Sequence, residues 1–308
     1  MNTAAKLGSY ALGLAVLFGG ALGVGKVAGP TPPQPAATAD SGGHAGDGHA
    51  TEQEQGQKQA VSDTPGGLQV SQNGYTLNPI TPLTTGKPTD FEFTVIGPDE
   101  QPVTAYQVEH DKKLHFIVAS RDLTSFQHLH PEMAPDGTWS VKLTLPKAGA
   151  YRAFADFVPT GGEKLTLGAD LQAAGDYQPE PLPHVSRTAE VGDYTVGLEG
   201  DLVPGRSSKL TLTVSKDGKP VDDLEPYLGA YGHLVALRAG DLAYLHVHPE
   251  ESKTAGPGIT FYAEAPSRGD YRLFLDFKHG GEVRTASFTA TATKSDGHAP
   301  SDTDDHGH

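Results

Sequence analysis

Tyr151-Arg152-Ala153-Phe154-Ala155-Asp156-Phe157 returns 120 residues later as Tyr271-Arg272-Leu273-Phe274-Leu275-Asp276-Phe277. Working outward, Gly161-Gly162-Glu163 matches Gly280-Gly281-Glu282, and Tyr75-Thr76 matches Tyr194-Thr195. Thr94-Val95 and Pro102-Val103 likewise match Thr213-Val214 and Pro220-Val221. The offset stays between 118 and 120, so single-residue insertions alone separate the copies. That period is too long for a solenoid repeat and suits two tandem domains.

Each copy reads as antiparallel β-structure. Its runs are short, rich in Val, Leu, Phe, Tyr and Thr, and bounded by turn residues such as Asn73-Gly74, Asp136-Gly137 and Asp217-Gly218. Amphipathic helical periods are absent. The expected fold class is all-β: two immunoglobulin-like sandwiches, with a cupredoxin-like barrel as the near alternative. The predicted organisation is a membrane anchor or signal peptide over 1–27, a disordered linker over 28–65 and repeat 1 over 66–178. A short stiff connection over 179–188, repeat 2 over 189–293 and a disordered tail over 294–308 complete it.

The repeats share a second signature, His128-Leu129-His130-Pro131-Glu132 and His246-Val247-His248-Pro249-Glu250. A further histidine lies thirteen residues upstream in each, His115 and His233. Alternate side chains of a strand share a face, so both imidazoles of His-x-His project together and a third can join from a neighbouring strand. Such a trio suits a divalent metal. His115 shares its strand face with Ile117 and Ala119, and His233 with Val235 and Leu237, which predicts that both point towards the sandwich interior or its end. Asp156 and Asp276, carboxylates amid aromatics, must be paired, hydrogen-bonded or at the surface. Each is a candidate fourth ligand or an acceptor fixing an imidazole tautomer. The competing reading is structural: histidine pairs also cover sheet faces by hydrogen bonding. His110, His184 and His279 lack counterparts in the other copy and read as ordinary surface residues.

Composition narrows the chemistry. With 38 acidic and 23 basic residues, the net charge of −15 disfavours nucleic acid and favours cations. The absence of cysteine excludes disulfides, thiolate sites and a blue-copper centre, and two methionines exclude a Met-rich Cu(I) site. Imidazole and carboxylate remain, a ligand set suited to Cu(II) or Zn(II). Residues 7–25 carry no charge and predict a single membrane pass with the repeats outside the cytoplasm, or secretion after signal cleavage. Five histidines fall in the two segments predicted to be disordered, where loose metal capture competes with a plain spacer role.

The segments KLHFIVASRDLTSFQHLHPE (113–132) and GTWSVKLTLPKAGAYRAFADFVPTGG (137–162) resemble bacterial membrane-anchored or secreted β-sandwich proteins of heavy-metal-binding type. More loosely, they are similar to sandwich domains of the CopC and YtkA kind. The resemblance implies an extracytoplasmic sandwich in copper or other metal handling. The expected function is therefore buffering or delivery of Cu(II) or Zn(II), non-enzymatic, with a membrane metal transporter as a partner. The alternative is a structural or interaction protein presenting sandwich loops to an envelope partner. The expected ligands are His115, His128, His130 and Asp156 in repeat 1, and His233, His246, His248 and Asp276 in repeat 2.

Overall fold

The computed structural model describes residues 64–250, 252 and 254–293, and His246 by its backbone alone. The expected anchor over 1–27, nearly all of the linker over 28–65 and the tail from 294 lie outside the described residues. Among the described residues, no helix is long and apolar enough to cross a membrane.

Repeat 1 consists of β1 (Ser71–Gln72), β2 (Tyr75–Pro79), β3 (Thr89–Ile96), β4 (Leu114–Ser120), β5 (Phe126–Leu129), β6 (Glu132–Met133), β7 (Trp139–Leu143), β8 (Gly149–Phe157) and β9 (Leu165–Ala173). Repeat 2 consists of β10 (Thr188–Val191), β11 (Tyr194–Glu199), β12 (Ser207–Lys216), β13 (Lys219–Pro220), β14 (Gly232–Arg238), β15 (His246–Pro249), β16 (Gly258–Glu264), β17 (Gly269–His279) and β18 (Glu282–Ala292). In repeat 1 an outer sheet of order β1-β2-β3-β7-β6 faces an inner sheet of order β5-β4-β8-β9. In repeat 2 the outer sheet is β10-β11-β12-β16-β15, with β13 also on β12, and the inner sheet is β14-β17-β18.

These strand orders are those of an immunoglobulin sandwich: A-B-E-D on one sheet and C-F-G on the other. A local device at the start of β8 and β17 supports the assignment. Tyr151 Oη donates to the Lys147 carbonyl at 2.9 Å, and Tyr271 Oη donates to the Ser267 carbonyl at 2.8 Å. This is the tyrosine corner that closes the E–F turn of such sandwiches. It explains why the tyrosine opens the strand that is best preserved between copies.

Strand alternation fills three apolar cores. Leu114, Phe116 and Val118 of β4 face the core of repeat 1, against Phe91, Phe93 and Trp139. Leu234 and Ala236 of β14 face the core of repeat 2. The opposite faces of the two inner sheets meet each other: Ile117, Ala119 and Phe154 pack with Val235, Leu237 and Phe274 in a third buried cluster. Strand β4 is therefore buried along its whole length. The seam has quasi-twofold character. Phe126 stacks on Phe274 with ring centroids 4.0 Å apart, while Tyr244, the counterpart of Phe126, lies 5.7 Å from Phe154. Burying one Ile or Phe side chain contributes about 1.5–3 kcal/mol of transfer free energy, so this face is a strong reason for the repeats to dock.

The seam revises one expectation. His115 and His233 do share their strand faces with apolar neighbours, but that face is covered by the other repeat and not by its own sandwich interior.

Candidate metal centre

The seam ends in a cluster of histidines. His115 comes from β4, where its cross-strand partner is Asp156 of β8. β5 pairs with β4 so that Ile117 lies opposite His128, bringing the His-x-His segment alongside His115. One ring nitrogen from each of His115, His128 and His130 falls within 4.8 Å of the others. Around an ion with metal–nitrogen distances of about 2.0–2.1 Å, tetrahedral ligand nitrogens are about 3.3–3.4 Å apart. The His115 Nδ1 to His128 Nε2 distance is already 3.2 Å.

The outward nitrogens of all three rings are engaged. His115 Nε2 donates to the Glu109 carbonyl at 3.2 Å, since a carbonyl can only accept. His128 Nδ1 contacts Asp276 Oδ2 at 2.8 Å, a pair whose side chains are both 6 % exposed. His130 Nδ1 lies 3.3 Å from the Tyr227 hydroxyl, and its Nε2 is buried with no hydrogen-bond partner. Two of these three anchors, Asp276 and Tyr227, belong to repeat 2. With His128 Nδ1–H donating to the carboxylate, His128 Nε2 and His115 Nδ1 both present lone pairs across their 3.2 Å gap. Such a gap demands a proton or a cation.

Burial, followed by the neighbouring His128, pushes the His115 pKa down to about 3. Burial and His128 likewise push His130 down to about 3. His233 falls to about 4, again chiefly through burial. Neutral imidazoles at neutral pH are the form that binds metal.

The two aspartates have different partners. Asp156 accepts from Thr166 Oγ1 at 2.8 Å and lies 3.3 Å from Lys164 Nζ. Asp276 accepts from Thr285 Oγ1 at 2.5 Å through one oxygen and gives the other to His128. The position of Lys164 is taken by the uncharged Val283 in repeat 2.

The second trio is arranged differently. His233 anchors its Nε2 on the Tyr227 carbonyl at 2.7 Å, just as His115 does on Glu109. Its ring centroid lies 6.4 Å from that of His115. Strand β15, however, pairs with β16 of the outer sheet, His246 opposite Glu264 and His248 opposite Tyr262. His248 is exposed, and the side chain of His246 lies outside the described residues. The structure thus groups His115, His128 and His130 with Asp276 as support, sets His233 beside them, and leaves Asp156 and His248 outside the group.

Sequence reasoning missed Glu109, Tyr227 and His110. The first two act through a backbone carbonyl and a hydroxyl, which carry no motif. His110, whose ring lies 6.2 Å from His115 and 5.5 Å from His233, has no counterpart in repeat 2, and that uniqueness was itself the available signal.

The model of the domain of unknown function DUF8832 matches residues 69–175 and again 189–294. The chain belongs to the DUF8832 family. The ends of the two DUF8832 matches coincide closely with the two sandwiches described above. No curated protein matches the chain. Among solved structures it is similar to a tetra-tandem repeat from the extending region of a large adhesion protein, at 14% identity and a TM-score of 0.24, covering 71% of this chain and 49% of that one. It is similar to invasin, a bacterial integrin-binding protein, at 12% identity and a TM-score of 0.20, covering 70% of this chain and 39% of that one. A membrane-anchored protein from Corynebacterium diphtheriae is similar at 8% identity and a TM-score of 0.22, covering 72% and 59%. The chain thus covers less than two thirds of each of these three. The DUF8832 description carries no metal chemistry.

Proposed function

We propose that this DUF8832 protein binds one divalent ion, Cu(II) or Zn(II), at the seam between its repeats through His115, His128 and His130. The observation that carries the reading is three histidines that each offer a ring nitrogen within 4.8 Å of the other two. Their outward partners engage the far side of every ring, and His130 Nε2 is buried without any partner. A bridging proton would satisfy one gap and leave His130 Nε2 unpaired, at a cost of about 1–3 kcal/mol. An ion satisfies all three nitrogens. Carboxylate and carbonyl acceptors behind the rings are the arrangement that orients metal-binding imidazoles and raises their basicity. The uncharged run at 7–25 supports placing this site outside the cytoplasm, where buffering or handing an ion to a membrane transporter is the role we favour over catalysis.

A second reading has its own support. The His128–Asp276 pair and the apolar seam could serve as a structural lock in an interaction module whose loops meet an envelope partner. Titrating the full chain, with the five histidines of its two terminal segments (His44, His49, His298, His306 and His308) changed to Asn, separates the two. The metal reading expects one tightly held Zn(II) or Cu(II), lost when His128 and His130 become Ala. Binding equally weak in both proteins would overturn it and leave the lock.

A further inference from the structure

Of the three histidines His115 is buried and His128 and His130 are half-buried, so an ion needs a way in. Beside it lies a cavity of about 70 Å³ whose walls include His110, His115, His128 and His233. Adjoining it is a cleft of about 380 Å³, bordered by His110, Tyr231, Pro249 and Glu250. His110 borders both spaces and is itself exposed. Its ring meets those of His115 and His233 edge to face. The Nε2 of His233 is taken by the Tyr227 carbonyl, which leaves Nδ1 as its lone-pair nitrogen.

The turn that carries His110 adds a second observation. His110 has φ 48°, a left-handed conformation uncommon for residues other than glycine, though histidine is among those enriched there. In repeat 2 the matching residue is Leu228, with φ 52°, in a turn closed by Tyr227 and Ala230 as the first is closed by Glu109 and Lys112. The scaffold therefore builds the same turn twice, whereas the imidazole occurs once, on the side where the trio is assembled.

We infer that His110 and His233 form a two-imidazole station through which a divalent cation passes between the cleft and the His115/His128/His130 centre. This rests on the metal reading above. Glu250 at the rim contributes negative charge that concentrates cations at the entrance.

The test uses the full chain with the same five terminal histidines changed to Asn and follows Zn(II) uptake, and its removal by a chelator, in stopped flow. His110→Asn keeps a side chain that tolerates the left-handed turn but is a poor ligand. It is expected to slow both uptake and removal about tenfold, with equilibrium affinity held within about twofold. His110→Asp, nearly the same shape with a carboxylate ligand, is expected to recover most of the rate. A merely structural role would treat the Asn and Asp variants alike, and that outcome overturns the route. Unchanged rates in His110→Asn overturn it while the metal centre stands. An affinity that falls in step with the uptake rate also overturns it, by making His110 a ligand of the resting site. A parent chain that takes up no Zn(II) overturns the centre and the route together.

Discussion

The two His-x-His-Pro-Glu segments are nearly identical in sequence and are held by different sheets. In repeat 1 the segment stays on the inner sheet through Leu129, and the crossover to the outer sheet comes at Glu132, opposite Ser140. In repeat 2 Tyr244 still bridges to Leu237 of the inner sheet, but His246 already pairs with Glu264 of the outer one. The residue just before each motif differs too. Repeat 1 has Gln127, whose amide reaches the Thr144 carbonyl at 2.8 Å, where repeat 2 has the fully buried Leu245. A motif thus specifies which residue types travel together; the sheet that captures the strand decides what they face.

Removing the histidines of each segment in turn should separate the two. His128→Ala with His130→Ala is expected to weaken Zn(II) binding at least about a thousandfold, some 4 kcal/mol. His246→Ala with His248→Ala is expected to change it no more than about threefold, since β15 pairs with the outer sheet. Equal losses from the two pairs, seen by calorimetric titration, would mean that the copies are equivalent and that the crossover has no functional weight.

Next in size is the aspartate pair. Asp276→Asn removes the acceptor that orients His128 and should cost about 10–100-fold in affinity. Asp156→Asn, whose carboxylate is occupied by Lys164 and Thr166, should leave affinity nearly intact. If Asp156→Asn proves the more damaging, the cross-repeat support is wrong.

The comparison extends to acid. His115, His130 and His233 have folded-state values of about 3, 3 and 4, below the ordinary 6.5. Between those limits the unfolded chain binds more protons than the folded one. Their stabilisation is therefore complete above about pH 6.5 and is lost as pH falls towards about 3. The steepest slope is about 1.4 kcal/mol per pH unit for each histidine. Chemical denaturation of the metal-free protein from pH 7 to 4 should show it, with a shallower slope in His115→Gln.

Much of the fold was legible because duplication acts on strands and turns, which are local. Tyr-Arg-x-Phe-x-Asp-Phe, Gly-Gly-Glu and the Asn-Gly and Asp-Gly turns each report their own backbone. The sequence also yielded His115, His128 and His130 as one group, since strand parity puts His128 and His130 on one side. It could not yield Asp276 in place of Asp156 as the support of His128. That choice depends on two inner sheets meeting face to face, and their apolar faces read equally well as sandwich interior. The early crossover of β15 was hidden for a related reason: Leu245 and Gln127 sit in otherwise matching strings, and the competition is between two sheets distant in sequence.

The smallest expected effect tests the cause of the asymmetry most directly. After Gly-Gly-Glu, repeat 1 carries Lys164 and repeat 2 carries Val283. Lys164 also pairs with Glu109 at 2.9 Å, so its ammonium is held beside Asp156 from two sides. Val283→Lys would bring a second ammonium towards Asp276 and draw its carboxylate from His128. Lysine at such a half-exposed position is worth about 0.2–1 kcal/mol, so Zn(II) affinity should fall by up to about fivefold. The loss should shrink at high salt, because exposed ion pairs are screened while the buried His128–Asp276 contact is not. Lys164→Val alone frees Asp156 without moving β15 and its His-x-His segment from the outer sheet, so it should not improve binding. A gain in affinity from Lys164→Val would show that Asp156 is a restrained ligand after all, and that one lysine, not the choice of sheet, sets the two repeats apart.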